Sequence, residues 1–224
     1  KDTVFIGYEH NECQVIIDGI FKDEDLSKIL SKGDEGILIL NQTPFYAESG
    51  GQVGDIGVIQ GKNYEFIVND TYKIKADVFG HLGFVQSGSI KLKDKGKAII
   101  NIHHRSNVKR NHSATHLLHK ALKIVLGDHV EQKGSLVDSA KTRFDFSHHK
   151  ALATKEIKEI ETIVNSEILK NQSTQTRLMK IDEAQKEGAM MLFGEKYNEQ
   201  VRVLNIGNSA ELCGGTHVNQ TGDI

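Results

Sequence analysis

The feature that most limits how this chain can fold is a change of hydrophobic period near residue 105. Before it, "TVFIGY", "CQVIIDGIF", "GILILN", "DIGVIQ", "YEFIVNDTY" and "KAIINIHH" are short runs rich in β-branched and aromatic residues, set apart by Gly, Asp and Asn clusters. Such runs predict short strands, and strands at this spacing build a small barrel or a sandwich. After it the period lengthens. Residues 106–126 carry a helical pattern, with Ser106 or Asn107 as the expected cap and Gly127 as the stop. "GSLVD" and "KTRFDF" then predict a hairpin. A long helix is expected from about Ala153 to Lys170, with Ile157, Ile160, Val164 and Ile168 as its buried stripe. "TQTRLMKI" and "VRVLNI" read as further strands flanking a helix at about 183–192. An α+β chain follows, with a strand-rich part at 1–105 and a mixed part at 106–224.

Composition narrows the functional classes. With 224 residues the chain can bury a substantial core, and 38% apolar against 26% charged residues is the balance of a soluble globular protein. Runs such as "GILIL" are far too short to cross a membrane, so no membrane partner is expected. Cys13 and Cys213 can pair in principle, but nothing resembles a disulfide framework, and a reducing, cytoplasmic setting is expected. The chain opens on Lys1 and shows no signal peptide, which suggests a piece excised from a longer protein. A net charge of −2 argues against a generically basic nucleic-acid binder. Yet Lys91, Lys93, Lys95, Lys97, Arg105, Lys109 and Arg110 stand against Asp94 alone, a local balance of +6. Such a run is either a solvated face or a phosphate-contacting strip.

The chemistry concentrates in two short stretches. "NHSATHLLH" places His112, His116 and His119 within one helical segment. At about 100° per residue, His116 lies about 40° and His119 about −20° from His112. Ala114, Leu117, Leu118, Ala121, Leu122 and Val125 centre near 200°, on the opposite side. The histidines thus own a face, and three solvated imidazoles would satisfy that pattern. "ELCGGTHV" adds a second spacing. His112 and His116 stand at i, i+4, the separation that lets two imidazoles meet one metal ion, and Cys213 and His217 repeat it with a thiol at one end. The glycine pair between them allows a tight turn. Three imidazoles and a thiolate suit zinc. The halves lie 96 residues apart, so only the fold can unite them. "HSATH" lacks the glutamate of the H-E-x-x-H metalloproteases, which disfavours a protease. Gly50, Gly51, Gly54 and Gly57 spell no nucleotide-binding motif and are expected to mark turns and bulges.

Taken in order, "TPFYAESGGQVGDIG", "HSATHLLH", "VEQKGSLV", "RFDF" and "CGGTHV" resemble the editing domain of alanyl-tRNA synthetase, over nearly the whole chain. The free-standing proteins that edit mischarged alanine tRNA share the zinc motifs, and the editing domain of threonyl-tRNA synthetase has a similar ligand pattern. The "AESGGQVGD" wording and the "GGTH" after Cys213 resemble the alanine synthetase more closely. The resemblance implies a small N-terminal β-barrel subdomain, 1–105, followed by an α/β zinc-binding editing subdomain, 106–224. It implies Zn2+ on His112, His116, Cys213 and His217, and a glycine-rich loop bordering the editing pocket.

The implied activity is hydrolysis of the ester joining serine or glycine to the 3′ end of alanine tRNA, without aminoacylation in this segment. The implied partners are that mischarged tRNA and the rest of the synthetase chain. Gln132, in "EQKGS", is the residue expected to position substrate or water, and Thr115 is expected to touch the amino-acid moiety. Arg143 and Asp145 are expected to form a structural pair. Two other classes are compatible with the same residues: an RNA-binding module whose zinc is structural, and an interaction piece whose histidines are exposed.

Overall fold

The computed structural model describes residues 2–23, 25–191 and 198–224. The chain packs as two compact units, residues 1–49 with 53–105, and residues 50–52 with 106–224.

The first unit is a closed barrel. Its strands are β1 (Glu12–Lys22), β2 (Glu35–Leu40), β3 (Gly57–Gly61), β4 (Tyr64–Lys75), β5 (Val78–Lys91) and β6 (Lys95–Ile100). They neighbour one another in the order β6-β3-β4-β5-β2-β1, and β1 pairs back onto β6, all antiparallel. Ala98 closes the ring, opposite Ile59 on one side and Cys13 on the other. Closure removes the open edges that a sandwich would leave. Alternate residues face inward, as Tyr64, Phe66 and Val68 do on β4. On β1 the alternation runs Val15, Ile17 and then Ile20, because a bulge at Asp18 inserts one residue and restores the inward parity.

Strand β5 has no counterpart among the runs expected from sequence. Its "VFGHLGFVQSGSIK" carries three glycines that read as turn punctuation. At Gly83 the reason is close approach: a Cβ there would meet the Ile67 carbonyl oxygen at 1.7 Å.

Arg105, in the basic run, is not a surface residue. It is fully buried in an ion pair with Asp55, and it also donates to the carbonyls of Gly7 and Pro44 at 2.7 and 2.9 Å. Lys93 and Lys97 pair with Asp18 and Glu12, each at 2.6 Å. The +6 stretch is therefore partly neutralised within the fold, and Arg105 leaves any phosphate-contacting strip.

Helix α1 spans Ile102–Leu126, four residues earlier in its start than the pattern suggested. The cap is Asn101 rather than Ser106 or Asn107: its Oδ1 accepts the His104 N–H at 3.0 Å. The "KAIINIHH" run accordingly splits, strand to Ile100 and helix from Ile102. Gly127 ends the helix with φ +112.

In the second unit β7 (Gln132–Val137) and β8 (Thr142–Phe146) form the expected hairpin. Helix α2 covers Thr154–Leu169. Ile160 is buried while Val164 and Ile168 pack partly buried, but Ile157 is 43% exposed and leaves the stripe. Strand β9 (Gln175–Lys180), helix α3 (Ile181–Lys186), β10 (Gln200–Ile206) and β11 (Ser209–Leu212) follow, with β9-β10-β11 an antiparallel sheet. The helix expected at 183–192 stops at Lys186, with Gly188 at φ +76 just beyond, and residue 192 lies outside the described residues. The stretch Gly50–Gln52 joins this unit through the Val137 N–H, which donates to the Gly51 carbonyl at 2.7 Å.

Candidate metal centre

Helix α1 presents a histidine on successive turns, and the fold buries them. His112, His116 and His119 are 5%, 7% and 4% exposed, while Leu117, Ala121 and Leu122 are buried on the other side. Three solvated histidines are thereby excluded. The loop after β11 carries Cys213 and His217 to the same place. One nitrogen from each of His112, His116 and His217 and the Cys213 sulfur all lie within 4.8 Å of one another. The 96-residue gap in sequence is closed by the tertiary fold.

Each of the three imidazoles is oriented by its Nδ1. His112 Nδ1 stands 2.7 Å from Gln52 Oε1, His116 Nδ1 2.8 Å from Glu211 Oε2, and His217 Nδ1 3.2 Å from Ser113 Oγ. An amide or carboxylate oxygen can only accept, so His112 and His116 donate from Nδ1, which leaves Nε2 as the atom each ring can offer to a metal. His112 Nε2 lies 3.6 Å and His217 Nε2 3.2 Å from Cys213 Sγ. His116 Nε2 is shielded from solvent and has no hydrogen-bond partner among the described residues. Three ring nitrogens and one sulfur gathered this closely are a donor set that could hold a metal ion. The donor set fits zinc.

Electrostatics agree. Burial opposes ionisation of Cys213, but the imidazoles of His112, His217 and His116 outweigh it and hold the thiol well below its ordinary range. Burial likewise opposes a charged Glu211, yet His116 and His119 bring its carboxyl down to about 2. Burial opposes a charged His116 as well, but Glu211 and Cys213 raise it above its ordinary value, whereas burial lowers His217 to about 3. The buried Glu211 carboxyl and the half-buried Cys213 thiol thus both favour a proton on His116. A divalent cation would replace that proton.

The second glycine of "CGGTH" has a steric cause. A Cβ on Gly215 would stand 2.2 Å from His112 Cε1, so the second glycine makes room for the ring rather than for a turn. Arg202 on β10 fixes the loop by donating to the carbonyls of Cys213 and Gly215 at 3.1 and 2.9 Å. Gly51, at φ +81, likewise serves a close approach, 2.7 Å from a built Cβ to the Ser135 carbonyl oxygen.

Thr115 is buried, donating to the Asn111 carbonyl at 2.8 Å and lying 2.6 Å from Thr142 Oγ1. With its proton committed to Asn111, this hydroxyl can only accept from any further group. Gln132 is half-buried at the start of β7, where a register shift follows it. Arg143 and Asp145 pair at 3.1 Å on an exposed face of the hairpin.

Sequence reasoning missed the residues that orient the ligands. Gln52 is fully buried; its Oε1 also accepts the Thr216 N–H, and its Nε2 donates to Thr216 Oγ1, both at 2.9 Å. Glu211 additionally takes His119 Nδ1 at 3.2 Å and Ser209 Oγ at 2.9 Å. The one available signal was strand alternation, which places Ser209, Glu211 and Cys213 at i, i+2, i+4.

Residues 1–104 match the family described as tRNA synthetases class II (A), and residues 201–224 match the threonyl and alanyl tRNA synthetase second additional domain. Alanine–tRNA ligases of Methylobacillus flagellatus and Herminiimonas arsenicoxydans are each 55% identical to this chain over 222 residues, covering 99% of it and 25% and 26% of those proteins. The ligase of Janthinobacterium sp. (strain Marseille) is 56% identical over 222 residues, covering 99% of this chain and 26% of that protein. The chain thus spans about a quarter of the length of the curated relatives it matches. With likeness at this level running through both the barrel and the histidine-bearing unit, the chain belongs to the alanyl-tRNA synthetase family.

Proposed function

We propose that this segment edits: it hydrolyses the ester joining serine or glycine to the 3′ end of alanine tRNA, at a zinc ion held by His112, His116, Cys213 and His217. The observation that carries the reading is the convergence of those four donors within 4.8 Å, from two stretches far apart in sequence. The chemical need is general. A pocket that activates alanine cannot exclude the smaller glycine by size, and it rejects serine weakly because serine merely adds a hydroxyl. A second, hydrolytic site solves both problems.

When bound, zinc supplies positive charge that polarises an ester carbonyl or orients a substrate amino group. The chain's own residues do the remaining work. Gln52, Glu211 and Ser113 hold the imidazole rings in place, and Arg202 holds the Cys213 loop. Thr115 offers an acceptor to a hydroxyl or ammonium of the amino-acid moiety, and Gln132 positions substrate or water. The partners in this reading are the mischarged tRNA and the remainder of the synthetase.

Four protein donors also suit a closed, structural ion, and that favours a second reading, an RNA-binding module without catalysis. Single-turnover deacylation of Ser-, Gly- and Ala-tRNA by the full chain, with metal content measured alongside, separates the two. Editing predicts that the serine and glycine esters are cleaved faster than the alanine ester. A hydroxyl-specific contact left unpaired is worth about 1–3 kcal/mol, so serine should lead by roughly tenfold to a hundredfold. Equal rates on serine and alanine esters would remove selective editing, and tRNA binding without hydrolysis would establish the second reading.

A further inference from the structure

A second group of histidines lies where the β7–β8 hairpin opens. Beyond the Gln132–Phe146 pair the two strands continue as a narrow ribbon. The Ser147 N–H donates to the Glu131 carbonyl at 3.0 Å, the Glu131 N–H donates to Ser147 Oγ at 2.9 Å, and Ser147 Oγ donates to the His129 carbonyl at 2.9 Å. This register sets His129 beside His148 and His149. The ring centroids are 5.1 Å apart for His129–His148, 5.4 Å for His129–His149 and 4.7 Å for His148–His149.

The three rings are closer than solvated histidines need to be. His129 Nε2 and His148 Nδ1 are 2.9 Å apart, and one nitrogen from each of the three rings lies within 4.8 Å of the others. His148 Nε2 is shielded from solvent and has no hydrogen-bond partner among the described residues. His129 and His149 are exposed, so an ion can enter from solvent. Three imidazoles without a thiolate favour borderline divalent ions of the zinc, nickel or copper class. Three protein ligands also leave room for water or an external ligand.

We propose that His129, His148 and His149 form a second transition-metal site, separate from the Cys213 cluster, which takes one borderline divalent cation and ties the open end of the hairpin. The site does not depend on the editing assignment. The test is a cobalt(II) titration of the metal-stripped full chain, followed by absorption and by elemental analysis. The wild type should take up two equivalents, one with a thiolate-to-cobalt charge-transfer band and one with ligand-field bands alone. His129→Ala with His149→Ala, two exposed positions that a substitution does not unpack, should lose one equivalent and keep the thiolate band. Cys213→Ala with His217→Ala should lose the thiolate band. Loss of one equivalent in the first double variant supports the site whatever happens at Cys213. Equal cobalt uptake by that variant and the wild type would overturn it.

Discussion

In the barrel, Ile17, Ile20, Leu38, Leu40, Ile59, Phe66 and Ile90 make one continuous apolar interior. In the second unit the buried apolar side chains divide into separate clusters around Val203, Leu204 and Leu122, and His112, His116, His119, Glu211 and His217 are buried as well. Both units bury charge, but they treat it differently. Arg105 and Asp55 neutralise each other within the first unit, and the pair also bonds to backbone, Asp55 accepting the Tyr46 N–H at 2.7 Å. The cluster around Cys213 leaves His116 Nε2 and His119 Nε2 without partners among the described residues. Each fully buried aliphatic contributes roughly 1.5–3 kcal/mol, so the barrel is stabilised by its own side chains. The second unit gathers buried polar groups around a donor set that could hold an ion. One unit is closed by its own side chains, and in our proposal the other is completed by a ligand.

The largest expected effect breaks that contrast from the metal side. Cys213→Ala with His217→Ala should release the zinc and destabilise the second unit by several kcal/mol, up to about 10, since structural zinc binding is folding free energy. Elemental analysis and thermal unfolding check this together. A variant with wild-type stability and no zinc would show that the cluster is not held by metal.

A smaller effect belongs to the barrel alone. His81 is fully buried between Thr43 Oγ1, at 2.7 Å, and the Leu38 carbonyl, at 3.0 Å, and burial lowers its pKa from 6.5 to about 4. The folded chain holds this ring neutral while the unfolded chain protonates it. Its stability contribution is therefore complete above about pH 6.5 and is lost as pH falls toward 4, amounting to about 3 kcal/mol at the low end. Denaturant unfolding across that window should show a steeper loss for the wild type than for His81→Gln. Parallel curves would mean that the barrel does not sense this histidine.

The smallest effect tests how the ligands are held. Gln52→Leu removes the acceptor of His112 Nδ1 and both bonds to Thr216. Losing such an outer partner typically lowers metal affinity tenfold to a hundredfold, and about tenfold is expected for a neutral amide. Competition with a chromophoric chelator measures it. Unchanged affinity would make Gln52 a packing residue only.

What could be read from the sequence follows the range of the interactions. The i, i+4 spacings of His112 with His116 and of Cys213 with His217 are local, and so were most barrel strands and the hairpin. The helix start was misplaced because Asn101 caps from inside a run that reads as strand. Strand β5 was hidden because Gly83 is demanded by a neighbouring strand rather than by a turn. Ile157 continues an apolar period on α2 yet stays exposed, a matter of what packs beside it. Gln52 and Glu211 carried no legible role, since a lone glutamine or glutamate declares its partner only when the chain folds.

If one unit is completed by an ion and the other by its own side chains, zinc must act on them unequally. Hydrogen exchange of the full chain, zinc-loaded and after chelation, reads this most directly. Amides of residues 112–119 and 211–218 should lose protection on chelation and regain it on zinc return, while β1, β2 and β4 of the barrel keep theirs. Unchanged protection around Cys213 after verified zinc removal, or equal loss in the barrel strands, would contradict it.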